Sequence, residues 1–377
     1  MFDKRNVKNL YALTPLQEGI LFHSLMDTSG STYFEQACFN VNGQVNVAFF
    51  QKAWNELIRR HDALRTIFVM KNVPQPLQIV LKQRELTIRV EDITHLTPEE
   101  QDERIEAFRS EDRKTPFDLT KDLLIRINLF KRKDNLHTLV WSFHHIIMDG
   151  WSVSVLYEEL AVIYTALLQD KKYNLPEPIQ FNSYIKWLKG RNNKDTQEFW
   201  QHYLDGYSKM TTLPRLQKTS ELSTFSTKRL HFEINSNASD GLVKLALSCQ
   251  VTINTVFQAL WGVVMASYNQ CTDSVFGITV SGRPTEIKGI ERMVGLFINA
   301  VPVRIKYSAD DIFKELLTRL QADSTAARDF HYCSLADIQA STPLRHNLFD
   351  QLLVFENYPD PSDVLGESQM GLSLTGF

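Results

Sequence analysis

The chain has 377 residues, which at about 150 residues per domain is enough for roughly two or three domains. Hydrophobic residues make up 43% of it and charged residues 23%, and these proportions exclude wholesale disorder. Its 41 lysines and arginines stand against 44 aspartates and glutamates, so the net charge of −3 offers no general attraction to nucleic acid or anionic membranes. We therefore expect a folded globular protein with partners of another kind.

The N-terminus and the cysteines bear on the cellular compartment. Residues 1–8 are charged and no apolar signal segment follows them, and no run approaches the 18 or so apolar residues of a membrane span. The cysteines form no CxxC pair, a pattern typical of reduced, mostly buried thiols rather than of disulfides or a zinc site. These cysteines are Cys38, Cys249, Cys271 and Cys333. We expect a cytoplasmic protein.

The first half of the sequence predicts a helix and, further on, a strand that runs into a loop. Residues 48–60 carry apolar side chains at spacings of three and four, which indicates an amphipathic helix with Arg59 and Arg60 in solvent. Residues 136–143 are rich in β-branched and aromatic types, which favour a strand. The polar segment 144–150 follows as a loop.

A second helix, a linker and further mixed elements come next. Ser152 is expected to cap the helix that follows the loop. Residues 169–182 lose all periodicity and contain two prolines, so they predict a linker and a domain boundary. Beyond the linker, helices are expected at 239–249, 254–269 and about 309–328, and a strand at 274–280. Helices and strands in both halves indicate an α/β or α+β pair of domains.

The densest group of reactive side chains is His144-His145-Ile146-Ile147-Met148-Asp149-Gly150, in the loop after the predicted strand. Adjacent residues of an extended chain point to opposite faces, so at most one of the two histidines faces a substrate. The group could also be a core histidine pair with an Asp-Gly turn, a metal site or part of a nucleophilic triad. Zinc-ligand spacings, a GxSxG elbow and phosphate-binding glycine loops are missing from the sequence. The pattern favours a histidine that assists direct transfer between two bound substrates.

This segment resembles the HHxxxDG motif of the condensation domains of nonribosomal peptide synthetases. Other segments resemble further motifs of that family in the expected order: Leu13–His23, Arg60–Thr66, Tyr184–Trp187, Val294–Asn299 and Arg345–Phe349. Six motifs span nearly the whole chain, so the resemblance is highly specific.

The resemblance implies an α/β (α+β) fold of two chloramphenicol-acetyltransferase-like lobes, arranged as a V with the active site at their junction. Residues 1–175 are then the N-terminal lobe with the HHxxxDG loop, and residues 176–377 the C-terminal lobe. Complete condensation domains are longer than 377 residues, so we expect the second lobe to be truncated at its C-terminus.

The resemblance also implies an amide-forming acyltransferase. A donor acyl or peptidyl thioester is attacked by the amine of an acceptor aminoacyl thioester, and both arrive on 4'-phosphopantetheine arms of peptidyl carrier domains. It implies no cofactor bound by the domain itself, no metal, no nucleic acid or membrane partner, and neighbouring adenylation or epimerisation domains. Pro15–Gly19 with Phe22 and His23, and Met148 before Asp149, look more like the subtype with a D-configured donor and an L-acceptor.

Three other functions stay open. One is a catalytically silent platform that docks carrier or tailoring proteins, and its usual sign, erosion of the histidine motif, is missing here. The second is an epimerisation domain of the same superfamily, although Val280–Pro284 resembles the condensing type. The third is a free-standing acyltransferase that uses a coenzyme A thioester.

Carried over residue by residue, the resemblance makes His145 the catalytic histidine and His144 its inward, structural neighbour. Asp149 becomes structural and pairs with Arg65, because a sheltered carboxylate needs a partner to stay charged. Gly150 lets the backbone pass close to the substrate. Candidate tunnel-lining residues are His23, Trp151, Ser281 and Asn299.

Overall fold

A computed structural model describes residues 4–27, 32–214, 229–356 and 373–375. The helices are α1 (Pro15–Met26), α2 (Val47–Arg60), α3 (Pro98–Arg113), α4 (Gly150–Leu168), α5 (Asn182–Lys189), α6 (Asn193–Tyr203), α7 (Ser236–Cys249), α8 (Ile253–Tyr268), α9 (Phe313–Ala327) and α10 (Leu335–Ala340). The strands are β1 (Val7–Ala12), β2 (Phe34–Asn42), β3 (Thr66–Val69), β4 (Leu77–Leu81), β5 (Arg89–Asp92), β6 (Ile125–Lys133), β7 (Leu136–His144), β8 (Asp273–Val280), β9 (Asn299–Lys306), β10 (Leu352–Leu353) and β11 (Ser373–Thr375). The fold is a mixture of helices and sheets, as the sequence predicts.

The chain divides into two compact units. The first unit comprises Met1–Arg191, Arg283–Ile298 and Asn357–Phe377, and the second comprises Asn192–Gly282 and Asn299–Glu356. The first unit thus continues past the expected boundary at residue 175 and takes in a later segment. Residues 376 and 377, at the C-terminal end for which truncation is expected, lie outside the described ranges.

The first unit is built on a five-stranded sheet of order β11-β2-β7-β6-β5, beside a three-stranded sheet of order β1-β4-β3. Successive residues of β7 serve opposite faces of the larger sheet, as the two-residue period of a strand requires. Trp141 packs against Trp54 of α2 with ring centroids 5.0 Å apart, whereas Val140 joins the cluster of Phe108 from α3. Helices therefore cover both faces of the sheet, and β7 is its buried central strand.

The apolar stripe of α5 explains why the first unit extends beyond residue 175. Tyr184 and Ile185 are buried in one cluster with Met293 and Phe297 from the later segment. Phe181 lies so close to Gly295 that an added Cβ there would be 2.2 Å from its ring. Burial of these large side chains, worth roughly 1.5–3 kcal/mol each, holds α5 and the segment 283–298 in the first unit.

The second unit has its own core. Its sheet has the order β10-β8-β9, with β8 antiparallel to β9 and parallel to the short β10. Trp200 of α6, Phe276 of β8 and Leu317 of α9 are fully buried in a single hydrophobic cluster. The helix predicted at about 309–328 is α9, and the strand predicted at 274–280 is β8.

One described helix, α4, is long and apolar enough to span a membrane, although no stretch of this kind is predicted from the sequence. Its 18-residue window has a mean hydropathy of 1.3, but 61% of that window is buried inside the structure. The helices α7 and α8 pass the same test only together, and they are bent by 105° at their break. Burial of this extent is what a core helix shows, and α4 lies against α2.

Candidate active site

The loop with the two histidines connects the central strand β7 to the core helix α4. β7 ends at His144, a single 3₁₀ turn covers His145–Ile147, and Asp149 is the N-cap of α4. The Asp149 carboxylate accepts the backbone N–H of Ser152 at 3.0 Å. The expectation that Ser152 caps the helix is therefore wrong, since the carboxylate three residues before it takes that role.

His144 is buried and held by hydrogen bonds. Its Nδ1 accepts the backbone N–H of Ile146 at 3.2 Å, and its Nε2 lies 3.4 Å from the hydroxyl of Ser24 on α1. Burial, with the neighbouring His145 as a second cause, lowers the pKa of His144 to about 4. His144 is therefore neutral at pH 7, and its contacts are those of a structural residue.

His145 is only partly buried, and its hydrogen bonds are not those of His144. Its backbone N–H donates to the carbonyl of Tyr33 at 2.9 Å, and its own carbonyl accepts the N–H of Met148 at 3.3 Å. Its Nδ1 is buried and has no hydrogen-bond partner among the described residues. The backbone of His145 is fixed while a ring nitrogen keeps its hydrogen-bonding capacity unused.

Asp149 pairs with Arg283, which corrects the expectation that its partner is Arg65. The Nη2 of Arg283 donates to both carboxylate oxygens, at 2.9 and 3.2 Å. The carboxylate also accepts the hydroxyl of Ser152 at 2.8 Å and the backbone N–H of Phe297 at 3.2 Å. These donors replace the hydration that the buried carboxylate loses.

Arg283 is itself held in place by the segment that it opens. Its Nη1 donates to the carbonyls of Ile290 at 2.8 Å and Met293 at 2.9 Å, and its guanidinium lies 3.9 Å from the ring centroid of Phe297. The pair with Asp149 therefore joins the loop after β7 to residues 283–297.

Arg65 serves another site. Its Nη2 donates to Asp62, and its Nη1 donates to the carbonyls of Leu81 at 3.1 Å and Lys82 at 2.9 Å. Asp62 also accepts Lys8 Nζ at 2.9 Å. Arg65 thus anchors the turn after α2 to the end of β4 rather than to the histidine loop.

The remaining candidate residues of the first unit take different positions. Gly150 is the first residue of α4. Trp151 follows it and donates its indole N–H to the carbonyl of Glu291 at 2.7 Å. His23 is exposed on α1, with its ring beside that of Tyr33 at 6.5 Å between centroids.

Ser281 and Asn299 belong to the second unit. Ser281 is exposed, whereas Asn299 is buried and donates its amide to the carbonyls of His331 at 2.8 Å and Cys333 at 2.6 Å. Both amide hydrogens of Asn299 are therefore used within the protein. Among the described residues no three His, Cys, Asp or Glu side chains are grouped as a metal ion would need.

Glu159 of α4 forms a second buried network that sequence reasoning missed. Its Oε2 lies 2.9 Å from Arg60 Nε and 2.9 Å from His61 Nε2. Burial alone would raise the pKa of Glu159, but the hydrogen bonds from His61 and Arg60 hold it at about 2. Arg60, expected in solvent, is instead 6% exposed. The buried carboxylate of Glu159 on α4 needs a positively charged partner, and Arg60 is buried because it is that partner.

The sequence matches one protein family over nearly its whole length. The family model described as "Condensation domain" matches residues 7–373. The chain belongs to the condensation-domain family. As a class, the condensation domains of nonribosomal peptide synthetases are amide-forming acyltransferases.

The relatives of this condensation domain are much longer proteins. It is 39% identical over 375 residues to tyrocidine synthase 3 of Brevibacillus parabrevis, a match that covers 100% of this chain and 6% of that protein. It is 38% identical over 355 residues to bacitracin synthase 3 of Bacillus licheniformis, which covers 94% of this chain and 6% of that protein. The chain thus spans only a small fraction of the length of these two synthases.

Solved structures share the fold. The first condensation domain of the calcium-dependent antibiotic synthetase, in complex with a substrate analogue, superimposes with a TM-score of 0.76 at 16% identity. The match covers 98% of this chain and 84% of that chain. The X-domain from teicoplanin biosynthesis gives a TM-score of 0.73 at 23% identity, with 88% and 73% covered.

Two residues of this site lie beyond what the sequence reasoning found. Arg283 lies in the segment Val280–Pro284, and the only hint of its role in the sequence is that it is a single charged residue between Gly282 and Pro284. Tyr33 could not be identified from the sequence, because its backbone adopts the left-handed conformation and a tyrosine gives no indication of that.

Proposed function

We propose that this condensation domain forms a peptide bond between a donor acyl or peptidyl thioester and the amine of an acceptor aminoacyl thioester. The observation that carries the proposal is His145, whose backbone is fixed on both sides and whose side chain is partly exposed at the end of the buried strand β7. The buried Asp149–Arg283 pair at the end of the loop supports it, because a catalytic group needs a rigid support.

The chemistry asks little of the protein beyond positioning. A thioester is already activated, and an α-amine with a pKa near 8 is nucleophilic once it has lost its proton. The amine nitrogen attacks the thioester carbonyl, the carbon–sulfur bond breaks, and the donor's thiol is released as the amide forms. Correct placement of the two substrates contributes on the order of 7–11 kcal/mol at best.

In this proposal His145 accepts the proton that the amine loses, and the departing thiolate of the donor takes up a proton to leave as the thiol. General-base assistance of this kind is worth about 10²–10⁴-fold. His144, kept neutral by its lowered pKa, adds no positive charge beside the proton acceptor. A second charge there would oppose protonation of His145.

The partners and cofactors follow from the same proposal. The two thioesters arrive on 4'-phosphopantetheine arms of a donor and an acceptor peptidyl carrier domain, and the domain itself binds no cofactor. Adenylation or epimerisation domains of a multidomain synthetase act beside it, and the compartment is the cytoplasm. The great length of the relatives supports a multidomain setting.

The test is a single-turnover reaction with carrier domains that are loaded separately. The full chain is mixed with a donor carrier bearing a D- or an L-aminoacyl group and an acceptor carrier bearing an L-aminoacyl group, and intact-protein mass spectrometry follows the products. We expect a dipeptidyl group on the acceptor carrier and a free thiol on the donor carrier, with the D-donor preferred.

Each rival function has its own outcome in that experiment. A docking platform gives carrier binding without product, and an epimerisation domain exchanges the Cα hydrogen of a loaded carrier in deuterated water without joining the two. A coenzyme A-dependent acyltransferase acylates the amine from soluble acyl-CoA without a donor carrier. Any of these three results contradicts the proposed function.

A further inference from the structure

Tyr33, the residue before β2, has an unusual backbone. Its φ is 62°, in the left-handed region that a bulky side chain rarely adopts. Residues in such conformations persist only where their surroundings hold them, and they cluster near functional sites. The contacts of Tyr33 therefore indicate what the conformation serves.

The carbonyl of Tyr33 holds the backbone of His145. β2 and β7 are antiparallel, with Phe34 opposite His144 as the final pair. One step further, the N–H of His145 donates to the Tyr33 carbonyl at 2.9 Å. This bond adds a rung beyond the end of the regular strand, so it fixes the point at which the chain turns into the loop.

The ring of Tyr33 packs against the other histidine. Its centroid lies 6.4 Å from that of His144 and 6.5 Å from that of His23, within the range of aromatic pair contacts. His144 in turn accepts the N–H of Ile146 through Nδ1. Tyr33 thus contacts His145 through its backbone and, through His144, also supports the residue after it.

We propose that Tyr33 is a positioning residue for His145, an inference that rests on the proposed function. Its carbonyl fixes the N–H of His145, and its ring keeps His144 in the orientation that accepts Ile146. Together these contacts fix the backbone that carries the His145 ring. The placement matters because a displacement of about 1 Å can cost a reaction on the order of 10²-fold.

The test compares three substitutions in the full chain. Tyr33→Phe keeps the ring, Tyr33→Ala removes it, and Tyr33→Gly removes it while also relieving the left-handed strain. We expect the single-turnover condensation rate to fall about tenfold or more in the Ala and Gly variants and to stay within about twofold in the Phe variant. Rescue by phenylalanine distinguishes loss of the ring from loss of the hydroxyl.

A second readout does not depend on activity. In protein with isotope-labelled histidines, the His145 ring signals are assigned by their loss in His145→Ala and then followed in each Tyr33 variant. We expect them to shift in Tyr33→Ala and Tyr33→Gly and to stay in place in Tyr33→Phe. The control Tyr268→Ala removes an exposed tyrosine from α8 in the second unit and is expected to change neither the rate nor the signals.

The two readouts separate this inference from the proposed function. If the unmodified chain makes no condensed product, the proposed function fails, and the histidine signals alone decide the positioning. A folded Tyr33→Ala or Tyr33→Gly protein with unshifted His145 signals overturns the inference, and so does one that reacts at the unmodified rate.

Discussion

The carboxylate of Asp149 is bonded to the guanidinium of Arg283, which lies 134 residues further along the chain. The side chain of Asp149 is 0% exposed and that of Arg283 6% exposed. Charges this deeply buried are tolerated only together, because each would otherwise lose its hydration without compensation. The pair therefore makes the histidine loop dependent on a segment that the sequence places far away.

We expect Asp149→Asn to lower the free energy of unfolding by about 3–5 kcal/mol, because it leaves the guanidinium of Arg283 buried without a counter-charge. Urea unfolding followed by tryptophan fluorescence measures the loss. The matched control is Glu158→Gln, which breaks the exposed pair of Glu158 with Arg292 in the same unit. An exposed pair of this kind is worth about 0–1 kcal/mol. Equal losses in the two variants would contradict the role given to Asp149.

A double-mutant cycle tests the choice of partner directly. Combining Asp149→Asn with Arg283→Gln is expected to give a coupling energy of about 0.5–3 kcal/mol, as for residues in contact. Combining it with Arg65→Gln is expected to give less than about 0.5 kcal/mol, because Arg65 bonds to Asp62 and to the end of β4 instead. A larger coupling to Arg65 than to Arg283 would restore the pairing that the resemblance implies.

Local patterns were sufficient for the elements that bury one clear stripe or face. The helix predicted at 48–60 is α2, and the strand predicted at 136–143 is β7. His144, the last residue of that strand, is buried, whereas His145 begins the 3₁₀ turn and is partly exposed. These features depend on residues close together in the sequence, so local sequence patterns are enough to predict them.

Pairings over long distances in sequence could not be predicted. Arg60 has the sequence pattern of a surface residue, but in the structure it pairs with Glu159 of α4. Arg283 pairs with Asp149, which lies 134 residues before it in the sequence. The same holds for the domain boundary, because Tyr184 is buried with Phe297 from the later segment. Tertiary packing decides these contacts, and local propensity does not contain them.

The stability of the chain is expected to fall as the pH drops from about 6.5 to about 4. Burial lowers the pKa of His144 from 6.5 to about 4, so in this window the unfolded chain binds a proton that the folded chain does not. The stability that neutral His144 contributes is complete above its pKa in the unfolded chain. It is lost as the pH falls towards its pKa in the folded chain, by at most about 1.4 kcal/mol per pH unit. Urea unfolding between about pH 7 and pH 5 measures the slope.

The diagnostic quantity is the change of that slope in His144→Gln. We expect the variant to have a shallower dependence on pH, by up to one proton, because the substituted side chain no longer titrates. His331 in the second unit also has its pKa lowered to about 4 by burial and keeps its own contribution. An unchanged slope in His144→Gln would show that His144 is protonated equally in the folded and unfolded chains.

Gly295 and Gly19 are expected to respond to alanine in opposite directions. A Cβ on Gly295 would lie 2.2 Å from the ring of buried Phe181, so Gly295→Ala should cost about 1–3 kcal/mol as overpacking. A Cβ on Gly19, within helix α1, meets nothing within 4 Å, so Gly19→Ala should stabilise the chain by about 0.4–1 kcal/mol. Urea unfolding of the two variants, side by side, measures both signs.

The response of Gly295→Ala also bears on the loop. The carbonyl of Gly295 accepts the N–H of Asp149 at 3.2 Å, and its N–H donates to Ser152 Oγ at 3.1 Å. A shift of this backbone therefore disturbs the cap of α4 as well as the packing on Phe181. A Gly295→Ala protein as stable as the unmodified chain would mean that the ring of Phe181 moves aside without cost.

His145→Ala separates the chemical role of His145 from its structural surroundings. The side chain is partly exposed and its Nδ1 bonds to no described residue, so its removal should leave the unfolding free energy nearly unchanged. The single-turnover condensation rate should fall by about 10²-fold or more if the ring accepts the amine proton. His95→Ala, which removes an exposed histidine of the same unit, is the control and should leave the rate unaltered. A folded His145→Ala protein that condenses at the unmodified rate would assign catalysis to positioning alone.

The pH dependence of a slow His145→Ala variant gives a further check. Without the His145 ring, the amine must lose its proton to solvent. Raising the pH towards the amine pKa near 8 should therefore partly restore the condensation rate of this variant.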